Sequence, residues 1–545
     1  MTPSPGEIQV ENLDHLGLVA GIIDEIGMVE TINSMVGIEA GEIVNAGLVV
    51  KAIILNGLGF VSRPLYLFTQ FFQGKATEHL LGEGIKAEHL NDDKIGRVMD
   101  KLYKQGLTNI FLSITLAAIK RYGISTQYTH LDATTISVEG KYENAQEEVL
   151  GETEEKSESL LNQEPQRPIK ITYGYSRDKR PDLKQFLLEL MVSGDGDIPL
   201  FIRAADGNES EQAVFGKLLK EFKSRVDFES IMVADSALYS QNNLLLMQEL
   251  LWITRVPLSV KGAQHLVREV SAEELVKSAE YPSYSWVEKK SNYGGIEQRW
   301  LLIESEKRRK SDLEKLEKKL KKKLSEAQKL QSRLSRQKFE STAAAKATLK
   351  AEQKKLKYYR LDLVKVLKEQ KQQSLDNLYK VELTISENTE IIAAEKKRAG
   401  RFILATNIED SQQLSASEMF KAYREQQAPE RGFAFLKDPL FFADSVFLKT
   451  PQRIETMAML MGLCLLVYKL GQRQLRLNLG VHQSGVKNQL GKLTQKPTLR
   501  WIFQCFQGIH VVVVNGVKQI SNLTTDRSST INFFPEACQQ YYSSA

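Results

Sequence analysis

Three carboxylates stand out as residues whose type and setting could do chemistry. Asp132 lies in THLDATTIS, Asp235 in IMVADSALYS and Glu430 in YREQQAPERGFAFLK. Both aspartates sit at or near the end of a short apolar, β-prone run, and the glutamate sits in a segment with helical spacing. A sheet with a helix packed on it can converge three such groups on a divalent cation. Hard oxygen donors of this kind suit metal-dependent phosphoryl transfer, in which a metal pair activates the attacking oxygen and stabilises the leaving one. Singly each is a weak signal, since an aspartate at a strand end is more often a turn or cap residue. His130, two residues before Asp132, falls on the same strand face. Asp206 follows a strand in AADGNESEQ, where its Gly-Asn neighbours favour a structural turn. No HExxH, Walker loop or nucleophile elbow occurs, so metalloprotease, NTPase and serine hydrolase readings fall away.

The elements that must position these groups read as follows. Residues 13–60 carry apolar residues at three- and four-residue steps, which predicts helices. Further helices are expected from Leu65, after Asn91 and over Ile110–Arg121, giving an all-helical module over 1–122. Strand character begins at Gln127. Lys141–Arg167 is polar and acidic and reads as a flexible loop. ITYGYS, KQFLLELMVS and PLFIRAAD follow as extended runs between the turn signals RDKRPD and GDGD. Then come a helix over Ser210–Phe222, the strand SIMVAD, a helix over Asn242–Leu250 and the strand LWITRVP. That order suits a mixed sheet with helices on its faces. SWVEKK, EQRWLLIES and YKVELTISE read as strands of a small platform. Between the last two, Leu313 to Leu334 and Leu349 to Val366 step by three or four residues, with a weak break at Phe339–Thr342. This spacing predicts an antiparallel coiled-coil hairpin over about 304–375. RFILATN reads as a strand, Ala416–Leu436 as mainly helical, Met457–Leu470 as a buried helix and HVVVV as a strand.

A chain of 545 residues is too long for one core, so two to four domains are expected. The net charge of +5 implies no partner, but residues 304–371 hold 23 Lys and Arg against 10 Asp and Glu. Such a charge run is either a solvated helix face or a surface lying along DNA or a partner protomer. Cys464, Cys505 and Cys538 are scattered without a CxxC pair, which argues against a disulfide framework or zinc ribbon. The first 15 residues lack the basic and apolar regions of a signal peptide. Met457–Val467 is too short to span a membrane.

These stretches resemble a DDE transposase of the IS4-like superfamily, most similar to the IS1634 group. HLDATTISVEG and VADSALYS resemble its two aspartate motifs. Tyr423, Glu430 and Lys437 match its Tyr-x2-Arg-x3-Glu-x6-Lys signature in spacing, while Gln426 stands where the signature has arginine and Pro429 precedes the glutamate. ERGFAFLKDPLFF, RIETMAMLMGLCLLVY, PTLRWIFQCFQGI and the N-terminal LDHLGLVAGIIDEIGMVETIN extend the likeness over nearly the whole chain. The resemblance implies an α/β ribonuclease-H-like core, a mixed sheet with helices on both faces, in two parts (123–260 and 401–480). The helical module at 1–122 would precede it, the insertion at 261–400 interrupt it, and 481–545 form a C-terminal segment. It implies Asp132, Asp235 and Glu430 as catalytic metal ligands, with Mg²⁺ as cofactor and Mn²⁺ able to substitute. Tyr423, Arg431 and Lys437 would hold DNA, and His130, Asp206 and Gln426 are further site candidates. The implied partners are transposon-end inverted-repeat DNA and target DNA, engaged by a homodimer. The implied setting is the bacterial cytoplasm, with the protein nucleoid-associated when on DNA. The implied reaction is end cleavage followed by joining of the 3′-hydroxyl to target DNA. A nuclease that cuts without joining and a non-catalytic DNA-binding or scaffold relative remain the rival readings.

Overall fold

The computed structural model describes residues 8–60, 64, 67–140, 142, 167–177, 179–226, 229–370, 377–438, 448 and 450–543. The loop expected over Lys141–Arg167 lies almost wholly outside these residues. The chain divides into two compact units, one of residues 1–252 with 421–545 and one of residues 253–420.

The first unit is a mixed sheet with helices. Its strands run in the order Pro199–Ala205, Lys184–Ser193, Tyr128–Val138, Ile231–Ala234. The first three are antiparallel neighbours, and the last pairs parallel with the start of Tyr128–Val138, Tyr128 opposite Ile231 and Leu131 opposite Ala234. Asp132 lies opposite Leu190. The sheet face that carries Leu188, Leu190 and Ile202 joins one large core with the 31-residue helix Pro451–Val481 and the helix Gln427–Leu436. On the opposite face Phe201 meets Phe222 of the helix Glu211–Arg225, with ring centroids 6.0 Å apart. Pro451–Val481 is long and apolar enough by composition to cross a bilayer. However, 89% of its apolar window is buried inside the protein, which makes it a core helix.

Two features of this unit correct the sequence reading. The N-terminal module is not all-helical: Ile8–Asn12 is a strand, paired antiparallel with His510–Val514, which in turn pairs with Val517–Ser521. ITYGYS forms only an isolated bridge, from Thr172 to Gln185.

The second unit begins within Leu251–Val256, whose strand order continues through Arg401–Thr406, Ile296–Ser305, Tyr284–Tyr293 and Val276–Lys277. The long helix Glu306–Arg336 stops where expected and the chain restarts as Thr342–Gln353. Ser341 is the N-cap of this second helix, its Oγ accepting from the Ala344 amide at 3.1 Å. The coiled-coil hairpin does not form. From Tyr359 the chain is a β-hairpin, Tyr359–Gln370 antiparallel to Asn377–Glu387, and Leu334 packs on Leu361, Val381 and Leu383 of that hairpin. Residues 371–376, the end of the expected second arm, lie outside the described residues. The misreading has a physical cause. Tyr359, Leu361 and Leu363 alternate as a strand should, and a bulge between Leu363 and Lys365 leaves Val364 exposed and moves the next inward-packed residue to Val366. The resulting steps of four and three imitate a helix.

Candidate active site

Asp132 is in the middle strand of the first unit's sheet, and the residue before it, Leu131, pairs with Ala234. Asp235 follows Ala234 directly, at the point where its strand ends. The two aspartates are thus the next register pair of two parallel strands, which lie about 4.8 Å apart and point in-register side chains the same way. Asp132 is 9% exposed. Its Oδ1 accepts from the Ala133 amide at 2.8 Å and lies 3.6 Å from Nη1 of Arg177. The Asp235 carboxylate accepts from the Ala237 amide at 2.8 Å, which fixes the turn leaving the strand.

The Glu430 segment is two helices, Ala416–Arg424 and Gln427–Leu436. Pro429 sits in the first turn of the second, where amides lack helical partners and proline is tolerated. Three contacts fix where this helix lies. Gln426 Nε2 donates to the Leu131 carbonyl at 2.7 Å, and its Oε1 is 3.3 Å from His130 Nδ1. Gly432 approaches Leu190 so closely that an added Cβ would stand 2.7 Å from its Cδ2. Lys437 Nζ donates to Thr134 Oγ1 at 3.1 Å. His130, Leu190 and Thr134 share the face of Asp132 by the two-residue period and the register. Gln426, Glu430 and Lys437, at steps of four and seven, form one stripe of the helix. Glu430 therefore falls on the stripe laid across Asp132, with its carboxylate exposed.

The structure brings together Asp132, Asp235 and the helix that carries Glu430. It does not gather three side chains into a group that could hold a metal ion, among the described residues. Tyr423 is half-buried in the last turn of the preceding helix, and its carbonyl accepts from the Gln426 amide at 3.1 Å. Arg431, expected at DNA, forks onto Asp197 at 2.9 and 2.7 Å instead. Lys469 reaches the same carboxylate at 2.9 Å. Burial opposes the charge on Asp197, but these two cations hold its carboxyl below the usual range. His130 is buried, which pushes its imidazole down to about 4 despite the Gln426 contact, so it is neutral at pH 7. Asp206 is the turn residue its neighbours suggested. It accepts from the Lys170 amide at 2.6 Å at the end of the strand Pro199–Ala205, two strands away from Asp132.

Two residues at the site escaped the sequence reading. Arg177 donates to the Ala133 carbonyl at 2.5 Å, and its amide donates to Thr135 Oγ1 at 3.2 Å, which anchors a guanidinium beside Asp132. Asp197 anchors the Glu430 helix through Arg431. Both lie in the stretches SRDKRPD and GDGD, whose turn character masked them. The signal available was unbalanced charge next to predicted strands.

Residues 126–467 match the family described as transposase DDE domain. Residues 8–116 match a domain of unknown function, DUF4277. No curated protein matches the chain. Among solved structures, the cryo-EM structure of a piggyBac transposase synaptic complex with hairpin DNA is similar over 92% of this chain and 82% of that one. Its identity is 8% and its TM-score 0.36.

Proposed function

We infer the activity from one premise: the chain belongs to the family of transposases with a DDE domain. It cleaves the ends of an insertion sequence and joins the freed 3′-hydroxyl to target DNA, with a ribonuclease-H-like core of the IS4-like, IS1634-group kind. The observation that supports this most is the helix Gln427–Leu436 laid across the Asp132 face, with Asp132 and Asp235 adjacent beneath it.

The donor set fits a hard divalent cation. Asp132, Asp235 and Glu430 offer only carboxylate oxygens, and Arg177 already places a positive group 3.6 Å from Asp132. These three would hold Mg²⁺, with Mn²⁺ able to substitute. Held there, the cation would supply Lewis-acid activation of an attacking oxygen and charge stabilisation at a leaving one. The remaining work belongs to side chains. Lys437, beside Thr134, receives a phosphate of the strand being cut. Tyr423 orients the backbone next to it. Gln426 fixes the start of the Glu430 helix on the Asp132 strand. Arg177 offsets the charge of Asp132 and lies close enough to meet a phosphate oxygen. End and target DNA are the partners, engaged by a homodimer in the bacterial cytoplasm.

Asp132→Asn, Asp235→Asn and Glu430→Gln test this reading. Each keeps side-chain size and removes the charge a hard cation needs. Each should abolish cleavage and joining of inverted-repeat DNA with Mg²⁺, while mobility shift at fixed salt stays near wild type, because Lys and Arg contacts supply most of that affinity. An Asp235→Asn protein that cuts at the wild-type rate ends the assignment. Cutting without joining by the unaltered protein selects the nuclease reading.

A further inference from the structure

The basic stretch singled out in the sequence is absorbed neither by the active site nor by a coiled coil. In the second unit it builds a cavity of about 220 Å³ lined by Lys319, Lys323, Lys355 and Lys357 around Tyr358. The floor is rigid: Tyr358 is 2% exposed and packs in a cluster with Leu316, Ala327 and Ile392. The ammonium groups of Lys319 and Lys357 lie 5.4 and 5.2 Å from the centre of the Tyr358 ring. Cation–π attraction thus helps hold two flexible cations over one spot.

The local acids do not cancel this charge. Lys323 pairs with Glu326, Lys355 shares Glu352 with Arg333, and Lys357 shares Glu395 with Arg398. Among the described residues, Lys319 has no carboxylate within ion-pair distance. Four lysines and two arginines therefore face three glutamates. On the helix Glu306–Arg336 no large apolar side chain is exposed beside these lysines, so nothing there would insert into a lipid surface.

We propose that this lysine-lined cavity over Tyr358 is a phosphate-binding site for the backbone of duplex DNA, separate from the carboxylate site and indifferent to base sequence. The choice of DNA rests on the transposase reading. Ammonium groups act here as point charges on phosphate, so affinity should fall with salt by about 0.9 in log–log slope per contact.

The test uses the full chain and a fluorescently labelled duplex, with anisotropy followed across a salt series. Lys319→Gln/Lys323→Gln keeps helix propensity and alters two charged cavity-lining side chains. It should lower the slope by about 1.8 and weaken binding equally on unrelated sequences. The exposed pair Lys318→Gln/Lys322→Gln, on the same helix outside the cavity, should change the slope less. An unchanged slope in the first pair, or an equal fall in both, overturns the proposal. So does loss of binding to phosphatidylserine vesicles with the DNA slope intact. Failure of the transposase reading looks different: the unaltered protein would bind DNA with the cavity-dependent slope yet never cut it.

Discussion

Gln426 stands at a position where the resembling signature carries arginine, and its amide shows what the exchange achieves. One side chain satisfies the Leu131 carbonyl and meets His130, the two residues immediately before Asp132. An arginine has no acceptor atom and could not also serve a neutral imidazole that donates. Gln426→Ala should leave a buried carbonyl with one donor fewer, at about 1–3 kcal/mol in denaturant unfolding. It should also slow cleavage more than it weakens DNA binding, because the start of the Glu430 helix is no longer tied to the strand. Wild-type cleavage by this variant would show that the contact is only structural. At the same scale, Arg431 shows the limit of a residue-type argument. A guanidinium next to a candidate ligand suggested DNA, yet its fork matches the carboxylate of Asp197, 234 positions away.

The helix Gln427–Leu436 owes its seat to a missing side chain. At Gly432 the helix comes down onto Leu190, and a Cβ there would also stand 3.2 Å from Leu465. Gly432→Val should lift the helix from the sheet, costing about 1–3 kcal/mol as overpacking. It should reduce cleavage far more than Ala434→Ser would, since Ala434 is exposed on the same helix and its exchange leaves the seat intact. Thermal melts and cleavage rates of the two variants decide this, and equal activity would show that the close approach does not matter. The helix breaks between Arg424 and Gln427, just ahead of Pro429, a local effect of proline within one turn. The β-hairpin at 359–387 was not legible in the sequence, because a single bulge turned a two-residue period into steps of four and three.

Across the whole first unit, the chain ends share one core with the sheet. Tyr542 donates to the Asp14 carbonyl at 2.7 Å, and Cys538 packs so tightly on Gly21 that a Cβ there would stand 2.4 Å from its Cα. Glu455 of the long core helix gives this unit a pH dependence. Burial raises its carboxyl from 4.5 to about 7; the Ile169 amide, 2.9 Å from Oε1, opposes the shift and Asp206 adds to it. The folded chain therefore keeps a proton that the unfolded chain releases between those values. The stability this provides is complete below pH 4.5 and is lost as pH rises through about 7. Glu455→Gln retains the acceptor for Ile169 and removes the charge. Its melting temperature should match wild type at or below pH 4.5 and exceed it above neutrality, by the equivalent of a few kcal/mol at about 1.4 per pKa unit. A gap that is the same at both pH values would refute the buried-proton account.

Alone, the sequence determined most of the first unit's strands, where the helix before Phe339 stops, and that Asp235 sits at an apolar strand end; Asp132 lies inside Tyr128–Val138 instead. These are decided by residues a few positions apart: alternation, β-branched content, caps and proline. The tertiary structure decided that Asp132 and Asp235 are register neighbours, that the Glu430 helix lies on their face, and that Ile8–Asn12 joins His510–Val514 in a sheet. It also decided that Leu334 packs on a hairpin and not on a second helix. Such pairings span tens to hundreds of positions. They are chosen by which apolar faces can be buried together, a property no local window of sequence contains.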